Sequence, residues 1–298
     1  IKKLFQEALD IINAEIAKRY ELLDKDEKSK IPLPSIEIGI STSEGMLQNI
    51  ATLNLFGIGE AFIYSGEFTS EFISNPLCAP IFRDLNELVG NGIKNAKQLK
   101  DHTKQTARIE GSGLSALLAT DISRICMDNN LLTKLRALFQ EGLARRSNIV
   151  LIKETSKEEI EDFFEYMNTC MEKERQNVTI ANKLTQKLKE RTKEIISKNL
   201  MGHTYTLDRS CSELMFMYSH YLQRYVNDLE KETTPKETIK LFLLHKKDNE
   251  FRAVRLASAI AILKGDTNLK REHLIEAIQL IEYLNEGMFS FEKELNKQ

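Results

Sequence analysis

The alternation of apolar and polar residues changes character twice along the chain. Residues 1–23 place Leu4, Leu9, Ile12, Ile16, Tyr20 and Leu23 at helical spacing with Lys, Glu and Asp between them, which predicts an amphipathic helix. A charged stretch from Asp24 to Lys30 ends it. Ile31-Pro32-Leu33-Pro34 then forces an extended linker, because a residue before proline is pushed out of the helical region. Alternation follows, with Ile36, Ile38 and Ile40 separated by Glu37 and Gly39, the period of a short strand. Ser41-Thr42-Ser43-Glu44 predicts a capping box, Ser41 accepting from Glu44 N–H while Glu44 reaches back, and opens a helix through Met46, Leu47 and Ile50.

Three later runs lack a polar alternate: Ala61-Phe62-Ile63-Tyr64, Leu114-Ser115-Ala116-Leu117-Leu118-Ala119 and Asn148-Ile149-Val150-Leu151-Ile152. Such runs predict strands covered on both faces of one mostly parallel sheet. Helical stretches lie between them, including Leu131 to Gln140, so the fold class is α/β. After Lys153 the pattern is nearly all helical. Thr155-Ser156-Lys157-Glu158-Glu159 caps a helix carrying Ile160, Phe163, Phe164 and Met167, and a long charged helix covers ~175–198. Thr234-Pro235-Lys236-Glu237 is a further helix start, with threonine at the N-cap and proline at the first helical position. Two final helices, 251–264 and 270–286, are joined by Gly265-Asp266-Thr267-Asn268.

Composition narrows the classes. With 42 basic and 44 acidic residues among 298, the net charge of −2 creates no global field toward nucleic acid or acidic lipid. No apolar run approaches the roughly 18 to 20 residues that cross a bilayer, so no membrane partner is expected. Ile1-Lys2-Lys3-Leu4-Phe5 has neither the apolar core nor the cleavage site of a signal peptide, and a cytoplasmic location is expected. A chain opening on Ile is expected to have lost an N-terminal part. Cys78, Cys126, Cys170 and Cys211 form no Cys-x-x-Cys pair and have no histidine at ligand spacing, so reduced thiols rather than zinc are expected.

Candidate chemistry clusters at the predicted strand ends. Open α/β sheets bind ligands outside the carboxyl ends of their strands. Glu67 ends the first buried run, where a glutamate can polarise an attacking water. About fifty residues later the second run ends in Thr120-Asp121, a polar tip able to sense a phosphate. Arg145 and Arg146 precede the third run, where a guanidinium can reach a neighbouring subunit's nucleotide. Lys94, Lys97, Lys100, Lys104 and Arg108 recur every three or four residues with only Asp101 opposing them. On a helix or a hairpin they make a basic stripe for a DNA backbone, although no aromatic residue for base stacking lies among them. Tyr218, Tyr221 and Tyr225 share an apparent helix with Met215 and Leu222 and read as core or interface.

Ile40-Ser41-Thr42-Ser43-Glu44-Gly45-Met46-Leu47, Ile63-Tyr64-Ser65-Gly66-Glu67-Phe68, Leu114–Asp121 and Gly142–Arg146 occur in that order. Together they resemble the uncharacterised P-loop ATPase domain of phage, plasmid and integrated-element proteins, which is often joined to primase modules. That domain is related to superfamily-three-like replicative helicases. Arg255 to Ala261 and His273 to Tyr283 resemble the helical lid of these proteins. The resemblance implies an N-terminal helix and linker over 1–34, the later half of a P-loop ATPase core over 35–154, and a helical lid over 155–298. It also implies ATP and Mg²⁺ as cofactors, a ring-shaped homo-oligomer, and single-stranded or duplex DNA as partner in a bacterial or phage-infected cell. Glu67 would activate water, Thr120 sense phosphate, and Arg145 or Arg146 act in trans. Two features depart from the pattern. The phosphate loop Gly-x-x-x-x-Gly-Lys-Ser/Thr has no counterpart, since Gly90-Asn91-Gly92-Ile93-Lys94 is wrongly spaced, and Gly66 stands where the family carries a magnesium-holding aspartate. The alternative is therefore a non-catalytic interaction or regulatory protein of the same fold.

Overall fold

The computed structural model describes residues 2–39, 42–75, 80–81, 93–94, 109–110, 113–143, 147–150, 163–198, 204–232 and 239–296. The described residues form a mixed α/β fold in which helices predominate over a small parallel sheet. Helix α1 spans Lys2–Glu21, and α2 spans Lys25–Lys30. The charged stretch that ends α1 is thus itself a short helix, opened by a reciprocal capping box between Asp24 and Glu27. Strand β1 is Glu37–Ile38, followed by helix α3, Ser43–Leu55. Its N-cap is Thr42, which accepts from Gly45 N at 3.2 Å, one residue beyond the expected cap at Ser41.

Strand β2, Glu60–Ser65, lies between β1 and the strand Gly113–Leu118 in parallel register, Ile63 pairing with both Ile38 and Ala116. Two-residue strands β3, Ile93–Lys94, and β4, Ile109–Glu110, pair antiparallel in a separate sheet, which makes Gly113–Leu118 β5. Two of the three apolar runs therefore share one parallel sheet. The third does not join it over its described part, because residues 147–150 are not in a strand. Full coverage of both faces is also corrected. In β2 the alternate residues Ala61, Ile63 and Ser65 are buried while Phe62 and Tyr64 are half-buried, and in β5 Ser115 and Ala116 are exposed.

Helices α4, Ile122–Met127, and α5, Asn129–Leu138, follow β5, capped by Asp121 and Asp128. The remaining described residues are almost wholly helical: α6 Phe163–Ser197, α7 Arg209–Lys231, α8 Lys240–Lys247, α9 Asn249–Lys264 and α10 Arg271–Asn296. The charged helix expected over ~175–198 is continuous with helix at Phe163, a single 35-residue element. The helix starts expected at Thr155 and Thr234 lie outside the described residues. Gly265 closes α9 in the left-handed region (φ 76°), where glycine carries no Cβ penalty.

A single apolar cluster joins the sheet to the helices. It takes Leu9 and Ile16 from α1, Met46 and Ile50 from α3, Ile63 from β2, Leu135 from α5, Phe242 from α8 and Phe291 from α10. Phe139 meets Phe291 edge-on at 5.4 Å between ring centres. Among the described residues no helix is long and apolar enough to cross a membrane.

Candidate functional site

The carboxyl ends of β2 and β5 lie side by side. Ser65 pairs with Leu118, and beyond the pairing Ala119 N donates to Ser65 O and Phe68 N to Ala119 O, both at 2.9 Å. This register carries Glu67 and Thr120 to the same edge of the sheet, both exposed. The hydroxyls of Thr69 and Thr120 are 3.2 Å apart. One acid at this edge was missed in the sequence. The buried Ser65 hydroxyl donates to Glu71, which the π-helical turn Thr69–Ile73 brings back over the strand end. Its only sequence signal was an acid four residues beyond Glu67, a spacing that matters once the chain turns helically there. The N-termini of α3 and α4, capped by Thr42 and Asp121, open from the same ends of β1 and β5. Besides those two caps, the edge gathers two carboxylates and three hydroxyls, with Glu67 and Thr120 in reach of solvent. Such a set is able to orient a water or accept a proton.

Gly66 sits between these groups. A Cβ there would meet Tyr64 Oη at 3.6 Å, an ordinary contact, so the backbone does not demand glycine. Arg145 and Arg146 lie outside the described residues, as do Lys97, Lys100, Lys104 and Arg108. Lys94 lies in β3, paired with Ile109 of β4, so an antiparallel pair brackets the basic stripe at both ends.

A second polar assembly, unforeseen in the sequence, is closed to solvent. His245 and Asn249 are fully buried, and Lys246, Arg252 and Asn285 nearly so. Arg252 Nη1 donates to Ser147 O at 2.8 Å and Asn148 Oδ1 at 3.1 Å, while Nη2 donates to His245 O at 3.0 Å and to Asn249 Oδ1. His245 Nδ1 lies 3.0 Å from Arg252 Nη2, and Nε2 lies 2.8 Å from Ser147 O. Arg252 Nη1 also closes on Nε2, so the guanidinium, which can only donate, faces both ring nitrogens and holds the ring neutral. Burial, with the Arg252 charge beside it, lowers the His245 pKa to about 3, so the ring is neutral at pH 7. Burial also lowers Arg252, to about 10, which leaves it charged. Next to this pair, Tyr218 Oη donates to Glu282 Oε1 at 2.5 Å and Lys246 Nζ donates to Oε2. Burial pushes Glu282 up, but these donors outweigh it and its pKa is lowered.

What this assembly holds is the chain at 147–150. Gly287, in the middle of α10, lets that segment pass: a Cβ there would come within 2.1 Å of Ile149 O. The described part of the third apolar run is therefore seated on α8, α9 and α10, which keeps residues 147–150 out of the sheet. A related device starts α8. Its N-cap, Ile239, offers no side-chain acceptor, and the buried Glu292 of α10 accepts from Leu241 N and Phe242 N, each at 2.7 Å. Burial raises the Glu292 pKa, with the two N–H donors working against the shift.

Asp266, Glu272 and the buried His273 form a group with ligand atoms within 4.8 Å of one another. The hydrogen bonds argue against a metal. Lys270 N donates to His273 Nδ1 at 3.2 Å, which takes that nitrogen out of use as a ligand, and Nε2 lies 3.1 Å from Asp266 Oδ2 with no hydrogen-bond partner among the described residues. Lys270 Nζ also sits 2.8 Å from Asp266 Oδ1, where a cation would have to stand. The group is a helix-start clasp for α10. Set against protein-family models, curated proteins and solved structures, the chain matches none.

Proposed function

We propose that the chain is the remainder of a nucleotide-dependent DNA helicase or ATPase core from a mobile genetic element, acting in DNA replication. The observation that carries the reading is the pairing of Glu67 and Thr120 at adjacent tips of parallel strands, with helix N-termini opening from the same edge. In this reading Glu67 activates water against a γ-phosphate, Thr120 contacts the phosphate, and Arg145 or Arg146 neutralises charge in a neighbouring subunit of a ring. ATP and Mg²⁺ are the cofactors, and the stripe from Lys94 to Arg108 meets the DNA backbone. The phosphate-binding loop is supplied by a segment outside these residues.

A specific observation favours the second reading, a non-catalytic subunit of the same fold. Gly66 stands where an acid would hold magnesium, and the Ser65 hydroxyl is engaged by Glu71. ATP turnover by the natural polypeptide separates the two. Glu67→Gln is expected to abolish turnover while nucleotide affinity is retained. Arg145→Ala or Arg146→Ala should do the same, and mixing either with Glu67→Gln should restore part of the rate, because mixed rings contain intact interfaces. Full turnover by the Glu67→Gln protein would sink the catalytic role and leave the interaction subunit as the account.

A further inference from the structure

Helix α7 is amphipathic in an unusual sense: both of its faces carry large apolar side chains. The inner face, Cys211, Tyr218, Leu222 and Val226, is buried against the neighbouring helices. On the outer face Phe216 is 76% exposed, Met217 54% and Tyr221 50%. Phe, Met, Tyr and Arg are the residues enriched where proteins meet. Glu213, Met217, His220 and Arg224, all exposed, recur at four-, three- and four-residue steps, the spacing of a seam between two paired helices.

The order of charges identifies the occupant. About a midpoint between Tyr218 and Ser219, Glu213 and Arg224 are equidistant, as are Met217 and His220, Phe216 and Tyr221, and Arg209 and Asp228. In an antiparallel helix pair related by a two-fold axis, equidistant positions lie at the same level. Each α7 then sets its Glu213 against Arg224 of the other and its Met217 against His220 of the other. The acidic group is already oriented, since Arg209 Nε holds Glu213 Oε1 at 2.9 Å within the helix. We propose that the outer face of α7 is a docking surface for the same helix of a second copy of this chain, forming an isologous two-fold dimer. From Arg209 to Asp228 the contact runs about 30 Å at 1.5 Å per residue, enough for a weak, concentration-dependent dimer. An isologous pair closes on itself, so this contact differs from the head-to-tail contact of a ring. It does not depend on the nucleotide reading.

Sedimentation equilibrium of the 298-residue chain over a concentration series tests the pairing. A monomer–dimer equilibrium is expected. Glu213→Arg and Arg224→Glu should each weaken it at least about tenfold, because each places like charges opposite one another. The double variant should return to within about threefold of the original. So should an equimolar mixture of the two single variants, because the mixed dimer sets opposite charges against each other at both ends of the seam. Melting temperatures of the single variants control for misfolding, and the rescue by mixing requires both to be folded. A strictly monomeric chain, or single variants that dimerise as well as the original, would overturn the proposal.

Discussion

The edge of the parallel sheet and the closed assembly between α8, α9 and α10 each gather polar side chains and differ in what surrounds them. At the sheet edge Glu67 and Thr120 are exposed, and the hydroxyl contacts are few. In the closed assembly Arg252 and His245 are withdrawn from water and almost every polar atom is spoken for; of the three buried side-chain polar atoms without a partner among the described residues, two, Arg252 Nε and Asn285 Nδ2, lie here, and the third is His273 Nε2. An unmet buried polar atom costs about 1 to 3 kcal/mol, so the second arrangement resists change, whereas the first can exchange its partners for a ligand at little cost. Rigidity and accessible chemistry are thus assigned to different parts of the molecule. Perturbed ionisation alone would have pointed to the closed assembly, where the strongly lowered histidine is fully buried and no substrate can reach it.

The sharpest way to break this contrast is to remove the anchor. Arg252→Ala strips Ser147 O, His245 O and Asn249 Oδ1 of a donor at once, and a loss of about 3 kcal/mol is expected by urea denaturation. Glu67→Gln should change the same midpoint by less than about 0.5 kcal/mol, as surface substitutions do. Comparable losses from the two would mean that the sheet edge is structural too. Gly287→Ala comes next. Alanine is the better helix former by about 1 kcal/mol, but its Cβ would press on the backbone of Ile149, which cannot swing aside as a side chain would. Steric cost should win, for a net loss of about 2 kcal/mol. A stabilised Gly287→Ala protein would show that the 147–150 segment is not seated against α10.

The sequence made one of these regions legible and hid the other for a physical reason. Strand tips are written locally: an apolar run ending in Gly66-Glu67 or Thr120-Asp121 announces where the strand stops and which polar group follows. The parallel register then brings the tips together. The closed assembly is written in distant positions, 147, 218, 245, 252 and 282, which no local pattern joins. The third apolar run misled for the same reason. Asn148-Ile149-Val150 has a strand's composition, but the carbonyl just before it, Ser147 O, is claimed by Arg252 and His245, and its path by the missing side chain of Gly287. Exposure of Ser115 and Ala116 in β5 was equally hidden, because a run without regular polar alternation says nothing about how many strands lie beside it.

Proton linkage gives a smaller and separate handle on the closed assembly. His245 takes up a proton at about 6.5 in an unfolded chain and only at about 3 when folded. Between these values the unfolded chain binds the extra proton, so stability falls as the pH falls, by up to about 1.4 kcal/mol per unit. Glu292 acts in the opposite sense. Its raised pKa means that the folded protein holds the proton more tightly, which adds stability as the pH falls through its titration. Urea titrations between about pH 6.5 and 5, upstream of most carboxylate titration, should therefore show the histidine slope most cleanly. It should flatten in His245→Gln, whose amide can still donate to Ser147 O. An unchanged slope in that variant would remove His245 as the titrating group.

The smallest effect is expected at Gly66, and it sharpens the comparison from the open side. Two glycines differ here in the space around them: at Gly287 the obstacle is a backbone oxygen at 2.1 Å, at Gly66 a tyrosine hydroxyl at 3.6 Å. Gly66 is exposed and its φ is not in the left-handed region, so a side chain fits without strain. Gly66→Asp should leave stability within about 0.5 kcal/mol of the original. Chemically the change is larger, since it sets a third carboxylate beside Glu67 and Glu71, where a divalent cation prefers oxygen ligands. If the sheet edge is a nucleotide site weakened by the lost acid, the natural polypeptide carrying Gly66→Asp should gain magnesium-dependent ATP turnover, and adding Glu67→Gln should erase that gain. Should the Gly66→Asp protein fold normally and leave turnover untouched over a magnesium series, the edge is not a metal-assisted phosphate site, and the non-catalytic subunit becomes the better reading of these strand tips.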